Sequence, residues 1–162
     1  MHYEISKATL VDLPAILQIY EDARAFMRSQ GNPNQWGTNH PAEEILRQDI
    51  AVGDLYLCRG DGEVLGVFFY AQGDDPTYAT IAGAWQNDEP YGVIHRIAVK
   101  SRSRGVASFC FDWALKRCPN LRIDTHRDNI AMQKALAKNG FQYCGVIRIA
   151  SGDERIAFQK TT

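Results

Sequence analysis

Residues 91–113 read YGVIHRIAVKSRSRGVASFCFDW, and they combine three local patterns in a fixed order. Residues 93–99 are rich in β-branched side chains and predict a buried strand. A basic turn, KSRSRG, follows at 100–105, and apolar residues then recur at helical spacing between 106 and 114. The stretch therefore predicts a strand, a cationic loop that contains glycine, and a helix.

The basic turn is suited to binding an anion. The first turn of a helix has unpaired N–H groups and about half a positive charge, so a loop that enters it attracts phosphate. Gly105 lets the backbone approach a bound group, and the small side chain of Ala107 does not obstruct the same surface. Arg102 and Arg104 add forked donors for phosphate oxygens. Because no G-x-G-x-x-G motif and no Walker lysine are present, the turn predicts a pyrophosphate site of another kind.

The turn and the region after it resemble the GNAT superfamily of N-acetyltransferases. Residues 102–107, RSRGVA, fit the family pattern Q/R-x-x-G-x-G/A, which cradles the pyrophosphate of acetyl-CoA. Further along, the family pattern Asn-x-x-A-x-x-L-Y-x-K-x-G-F is matched in register by Asn129, Lys138, Gly140 and Phe141. Since the resemblance covers the C-terminal half by motif and the N-terminal half only by element order, it implies a GNAT-like fold for the chain.

The resemblance implies acetyl-CoA as the acetyl donor and assigns a set of residues to it. Main-chain groups of the central strand would pair with the pantetheine arm, and the turn would hold the pyrophosphate. Asn129 would bond the pantetheine or help to cap its helix. The residues expected to bind the cofactor are Ile97, Ala98, Val99, Arg102, Ser103, Arg104, Gly105, Val106, Ala107, Ser108 and Asn129.

The order of elements predicts an α/β fold, of the mixed α+β type, in a single acetyltransferase-like domain over residues 1–162. We expect a mixed sheet of six or seven strands with helices on both faces. The unit that spans residues 93–126 is a strand, a helix and a strand, which makes its two strands a parallel central pair.

Acetyl transfer to an amine needs a group that removes a proton, because the attacking nitrogen must be neutral. His126 is one candidate, since it follows a parallel strand at the edge where such sheets bind ligands; helix capping is its alternative role. His95 and Trp36 are expected to contact the substrate, although each could instead be a core residue. Many GNAT members protonate the leaving thiolate with a tyrosine, and Leu136 stands at that position.

Three nearby residues could replace the missing tyrosine: Tyr143 and Cys144, in the strand after that helix, and His126. Tyr143 and Cys144 are more often ordinary sheet residues. The remaining alternatives are that the thiolate leaves unassisted and that acetyl transfer is not the function.

Composition excludes several classes of protein. A net charge of −1 over 162 residues argues against general nucleic-acid binding, because the basic residues form only a local patch. No apolar run approaches the ~20 residues of a membrane helix, and no signal peptide is recognisable, so we expect a cytoplasmic protein without membrane contact. The four cysteines lack metal-ligand spacing, and no metal is expected.

Three functions remain open at this point. The first is an acetyl-CoA-dependent N-acetyltransferase that acts on a primary amine of an unknown small molecule or peptide. The second is a sensor that binds acyl-CoA without turnover, which the missing tyrosine motivates. The third is an interaction domain whose basic loop meets an acidic partner. The resemblance also allows a homodimer, since dimers are common among the relatives, but the sequence itself does not indicate one.

Overall fold

The computed structural model describes residues 2–100 and 104–162, and eight strands in these ranges form one sheet. In chain order the strands are β1 Tyr3–Lys7, β2 Leu55–Gly60, β3 Glu63–Gln72, β4 Ala82–Gly83, β5 Gly92–Val99, β6 Asn120–Thr125, β7 Gln142–Arg148 and β8 Glu154–Thr161. The helices are α1 Leu13–Ser29, α2 Glu43–Val52, α3 Val106–Arg117 and α4 Ile130–Lys138. Short 3-10 turns at Leu10–Asp12 and Pro76–Tyr78 complete the fold.

The sheet is mixed, as the sequence predicts. Its strand order is β1-β2-β3-β5-β6-β8-β7-β4, and β5 and β6 are its parallel pair. The other neighbours are antiparallel. The sheet has one strand more than the upper expectation, because the two residues of β4 pair with β7 at the edge.

Helices cover both faces of the sheet. α1 and α2 pack on one face, where Ile16, Tyr20 and Leu46 join Leu57 and Val67 in one apolar cluster. α3 and α4 pack on the other face and bury a larger cluster that includes rings of both α3 and the sheet. The central strands therefore lie between the two layers of helices.

The central parallel pair is joined along only a short part of its length. Gly92 pairs with Leu121 and Val93 pairs with Arg122, after which the ladder stops. A bulge in β5 accompanies this separation: the β3 register shifts opposite β5, and Arg96 has a φ of 53°. The hydroxyl of Tyr20 donates to the Arg96 carbonyl over 2.7 Å and supports the bulge. A cleft therefore opens between β5 and β6 toward their carboxyl ends.

Gly66 of β3 lets the start of α3 approach the sheet. A Cβ built on Gly66 would lie 2.9 Å from the Cγ1 of Val106, the first residue of α3. Val106 is fully buried at this contact. The glycine therefore sets how closely the N-terminus of α3 lies to the carboxyl end of β5.

We expect Gly66→Ala to destabilise the fold by about 1–3 kcal/mol, because the added methyl group overpacks the contact with Val106. Adding Val106→Ala removes the clashing methyl groups. The two substitutions should therefore couple favourably, by about 0.5–3 kcal/mol relative to the sum of the single effects. Urea unfolding of the wild type, both single variants and the double variant measures this coupling. Strictly additive effects would show that the contact does not position α3.

Candidate active site

The N-terminus of α3 faces the mouth of the cleft. Gly105 is its N-cap residue, with a φ of 73°, and the first helical bond runs from the Phe109 amide to the Gly105 carbonyl over 2.9 Å. The amides of Val106, Ala107 and Ser108 therefore precede the helical ladder and are available as donors. Within the described residues, none of these three amides donates to a loop or side-chain acceptor.

The space in front of Gly105 is free of the residues that the structure describes. A Cβ at this position would meet none of their atoms within 4 Å, and the left-handed backbone favours glycine for conformational reasons. The hydroxyl of Tyr3 donates to the Arg104 carbonyl and holds the end of the turn against β1. The predicted cofactor residues Arg102 and Ser103 lie outside the described residues. Open space and donor amides together fit a diphosphate at this end of α3.

A channel of about 440 Å³ leads from α3 into the cleft. Ile97, Ala98 and Val99 of β5 form one side of the channel, and Ala107 stands at its α3 end. On the opposite side α4 presents small or flexible residues, and α1 closes the channel from above. Because β5 has no strand partner on its β6 side beyond Val93, the main-chain groups of this edge are unpaired by a neighbouring strand and could bind an extended ligand.

A second cavity of about 490 Å³, here called the wide cavity, adjoins the channel. The channel and the wide cavity share four lining residues: Met27, Ile97, Asn129 and Met132. We call these four residues the neck. A ligand that extends along the channel reaches the wide cavity through the neck.

Two hydrogen bonds hold the Asn129 side chain at the neck. Its Oδ1 accepts from the Met132 amide over 3.0 Å and caps α4, and its Nδ2 donates to Gln35 Oε1 over 2.9 Å. The bonds orient the side chain and connect α4 with the loop after α1. Of the two roles that the sequence leaves open for Asn129, the structure shows helix capping directly, and contact with pantetheine stays a prediction.

A polar group centred on His95 borders the wide cavity. His95 of β5 places Nε2 2.7 Å from Asp75 Oδ2 and Nδ1 3.9 Å from Asp124 Oδ2. Asp124 in turn accepts a hydrogen bond of 2.6 Å from the Tyr78 hydroxyl. The imidazole therefore lies between two carboxylates, and its short contact with Asp75 orients it.

The carboxylates differ in their pKa. Burial alone would raise the pKa of Asp75, but the hydrogen bond and charge of His95 outweigh it and hold the pKa below its ordinary value. Burial raises the pKa of Asp124, against the opposing effects of His95, Tyr78 and Arg155. Burial and the neighbouring Asp124 also raise the pKa of Tyr78, which keeps its hydroxyl a donor. Asp75 is therefore the stable anion of the group.

Trp36 and His40 form another wall of the wide cavity. Trp36 is buried and meets the ring of Tyr20 edge to face, with centroids 5.6 Å apart. His40 packs against Trp36, and burial together with the charges of Arg96, Arg155 and Arg24 lowers its pKa. This places the predicted substrate residues Trp36 and His95 in the same cavity.

The structure does not bring the three predicted catalytic residues into this cavity. His126 lies at a surface depression that shares Asp153 and Arg155 with the wide cavity, and its Nδ1 accepts from the Asp128 amide over 3.0 Å in the turn before α4. Tyr143 is 61% exposed on β7 and packs edge to face on Phe158. Cys144 is half-buried, and its thiol donates to the Gln142 carbonyl over 3.5 Å. None of the three lines the channel or the wide cavity.

Leu136, which stands where the resemblance places the family tyrosine, is a core residue. Its side chain is fully buried in the cluster under α3 and α4, together with Phe111 and Phe141. Ala131, Met132 and Ala135 are the residues of α4 that face the channel. In the part of the chain that the structure describes, no phenol lines the neck.

Sequence reasoning missed the partners of His95. Asp75 belongs to a Gly-Asp-Asp-Pro turn, which indicates only the end of a strand, and Tyr78 lies in the 3-10 turn that follows. Both reach His95 through folding over a separation of about twenty residues. The only available signal was the acidic turn itself, and it did not identify a partner.

Comparison with known proteins gives a consistent family. No family model and no curated protein matches the chain. Among solved structures, a GNAT-family acetyltransferase from Streptococcus agalactiae is 30% identical, covers 99% of this chain and 95% of its own, and has a TM-score of 0.89. A GNAT-family acetyltransferase from Listeria monocytogenes, 18% identical, covers 99% of this chain and 95% of its own, with a TM-score of 0.71.

A third structure with the same fold is a ribosomal-protein-alanine N-acetyltransferase from Brucella melitensis. It is 20% identical, covers 98% of this chain and 99% of its own, and has a TM-score of 0.65. Within residues 2–100 and 104–162, no helix is both long and apolar enough to cross a membrane. The same ranges contain no cluster of side chains suited to a metal ion.

We expect Asp124→Asn to raise the Tm at pH 7, because it removes a buried charge and keeps an acceptor for Tyr78. The folded pKa of Asp124 lies above its unfolded value. The ionised carboxylate therefore costs stability at pH values above the folded pKa, and this cost disappears below the unfolded pKa of about 3.9. The Tm difference should therefore shrink as the pH is lowered toward 4. The exposed Asp112→Asn on α3 is the control, and an equal pH profile for both variants would contradict the assignment.

Proposed function

Because the chain belongs to the GNAT family of acetyltransferases, we propose that it transfers the acetyl group of acetyl-CoA to a primary amine in the wide cavity. The observation that carries this proposal is the continuous path from the N-terminus of α3, through the channel and the neck, to His95. We further propose that residues 1–162 act as one domain, since strands from both halves of the chain share one sheet.

The residues at the start of α3 fit the pyrophosphate of the donor. The amides of Val106, Ala107 and Ser108 supply donors, the helix terminus supplies partial positive charge, and Gly105 leaves the approach open. Arg104 is exposed beside them and adds a guanidinium. In this proposal Arg102 and Ser103 complete the turn, as the sequence pattern predicts.

The edge of β5 fits the pantetheine arm. An extended arm of this kind carries amides that can pair with the main chain of Ile97, Ala98 and Val99 as an added strand would. Acetyl-CoA supplies an activated acetyl carbonyl, and in this arrangement it would reach the neck. A main-chain N–H directed at such a carbonyl is worth about 3–4 kcal/mol in enzymes where a single donor has been removed.

His95 is the group that we assign to proton removal. A lysine-type amine with a pKa near 10.4 needs about 4–5 kcal/mol to lose its proton at pH 7, so a nearby base is required. Asp75 orients the imidazole through Nε2, which directs Nδ1 toward Asp124 and the cavity. The amine nitrogen bonds to the acetyl carbon, the carbon–sulfur bond breaks, His95 takes the amine proton, and CoA leaves as the thiolate.

No acid that lines the neck is positioned to protonate the thiolate, within the described residues. The thiolate therefore leaves without a direct proton donor in our proposal, and solvent at the channel protonates it later. Tyr143 and Cys144 stay predictions as alternative acids, although their placement on β7 does not favour them. The Leu136 side chain is committed to the core.

A non-catalytic sensor of acyl-CoA is the second candidate, and the absence of the family tyrosine favours it. Release of free thiol from acetyl-CoA in the presence of a panel of primary amines separates the two functions. Amine-dependent thiol release above the rate without amine supports the enzyme. Saturable CoA binding with no release for any amine supports the sensor.

We expect Gly105→Asp to weaken CoA binding at least tenfold, because the new carboxylate occupies the open space where a phosphate would bind. Gly62→Asp is the matched control: it has a φ of 79° and open space as well, but it lies in the turn between β2 and β3. Calorimetry with CoA measures both variants. Equal affinities in the two variants would place the diphosphate elsewhere.

We expect His95→Gln to lower kcat about 100-fold or more while CoA affinity is retained, since general base catalysis contributes about 10²–10⁴-fold. The glutamine can still bond Asp75, so the fold should be kept. His126→Gln tests the other predicted base, and we expect it to retain most of the activity. A large loss of kcat in His126→Gln, with His95→Gln near the wild-type rate, would reverse the assignment.

A further inference from the structure

The wide cavity contains a buried guanidinium that lacks a carboxylate partner. Arg155, the second residue of β8, is only 6% exposed and lines the cavity. It donates to the Glu154 carbonyl over 2.9 Å and to the Gln35 carbonyl over 3.2 Å. In residues 2–100 and 104–162, no carboxylate lies within ion-pairing distance of it.

Other shielded arginines of this protein are compensated. Arg96 pairs with Asp49, and Arg59 pairs with Asp12 over 2.6 Å. Arg122 is stacked between two rings, 3.9 Å from the centroid of Tyr91 and 4.2 Å from that of Trp85. Among the described residues, no anion pairs with Arg155 and no ring stacks on it, and the charges of Asp124 and Asp153 reach its guanidinium only from beyond ion-pairing distance. A buried charge without a contacting partner is costly. Its two carbonyl partners leave N–H groups of the guanidinium free to bind an anion in the cavity.

The charges on the cavity walls are unevenly distributed, and the carboxylates that act on Arg155, those of Asp124 and Asp153, lie beyond ion-pairing distance of it. Arg155 and Arg96 lie near His40 on one side, where their charges help to lower its pKa. Asp75 and Asp124 surround His95 on the other side. Asp124 pairs with Ala157 across β6 and β8, so Arg155 lies two residues further along the same face of the sheet. Such diagonal positions are about 7–8 Å apart, which leaves room for a small molecule with both charges.

We propose that the acetyl acceptor is a free α-amino acid, whose carboxylate binds Arg155 and whose amine faces His95 and Asp124. This inference rests on the proposed acetyl transfer. A planar guanidinium and a carboxylate form a bidentate pair, which fixes the orientation of the amine toward the neck. Met27, Trp36 and Ile149 line the same cavity and suit an apolar side chain.

The first test compares matched acceptors on the wild-type protein by release of free thiol from acetyl-CoA. The probes are L-leucine, L-methionine and L-phenylalanine, each with its carboxamide and its decarboxylated amine. We expect kcat/KM for at least one amino acid to exceed that of its carboxamide tenfold or more, because only the amino acid can pair with Arg155. Preference for the carboxamides throughout would indicate a peptide N-terminus and overturn the proposal.

The second test uses Arg155→Gln, which keeps donors for the two carbonyls and removes the charge. The preference for the amino acid over its carboxamide should fall at least tenfold, mainly through KM, and Arg155→Lys should restore part of it. Using the ratio of the two acceptors cancels their different intrinsic reactivity. Arg148→Gln is the control, since Arg148 is exposed on β7 and pairs with Glu154. CoA binding and the Tm show whether each variant is folded.

The outcomes separate this inference from the proposed function. Turnover of simple amines without any preference for a carboxylate would leave acetyl transfer intact and refute the role of Arg155. No thiol release with any amine would refute the transferase itself. An unchanged preference in a folded Arg155→Gln variant would make Arg155 a structural support of the Gln35 loop. If that variant does not fold, the wild-type comparison alone decides.

Discussion

The separation of two parallel strands is the constraint on which the proposed site depends. β5 and β6 share hydrogen bonds only at Gly92 and Val93, and the sheet continues on both sides of them. The bulge at Arg96, held by Tyr20, turns β5 away from β6 without breaking its ladder to β3. Because unpaired strand edges form backbone hydrogen bonds readily, this opening gives an extended ligand a place inside a folded sheet.

The same opening gathers polar groups that a core would not otherwise tolerate. His95 and Asp124 belong to the two separated strands, and the turn that carries Asp75 and Tyr78 covers them from one side. Buried charges are costly unless they are paired, and their pairing here is incomplete. Arg155 and Asp124 are the clearest cases, since burial shifts the pKa of each toward its neutral form. Such incomplete compensation is typical of sites whose remaining partners are ligands.

The sequence predicts the strand, turn and helix from β5 to α3 because these elements depend on short-range sequence patterns. The β-branched run of β5, the glycine before α3 and the helical spacing of α3 follow from short-range patterns, and the parallel pair follows from their order. Capping by Asn129 is one of the two roles that the sequence offers for this residue, and its Oδ1 accepts the first-turn hydrogen bond of α4 from the Met132 amide.

The proposed catalytic role of His95 could not be predicted, because it depends on contacts between distant segments. Position relative to a strand end favours His126, yet the turn before α4 engages its ring. His95 becomes the better candidate only once Asp75 is brought 2.7 Å from it. Arg155 gave no signal at all, since an arginine in a terminal strand is usually exposed. What distinguishes it is its burial without an ion-pair partner among the described residues, which is a property of the fold.

A crystal structure of the complex with CoA would show whether the donor lies between the separated strands. We expect the diphosphate at the amides of residues 106–108, the pantetheine along Ile97, Ala98 and Val99, and the sulfur at the neck between Met27 and Asn129. A CoA molecule bound elsewhere, or β5 and β6 paired along their whole length in the complex, would contradict this expectation.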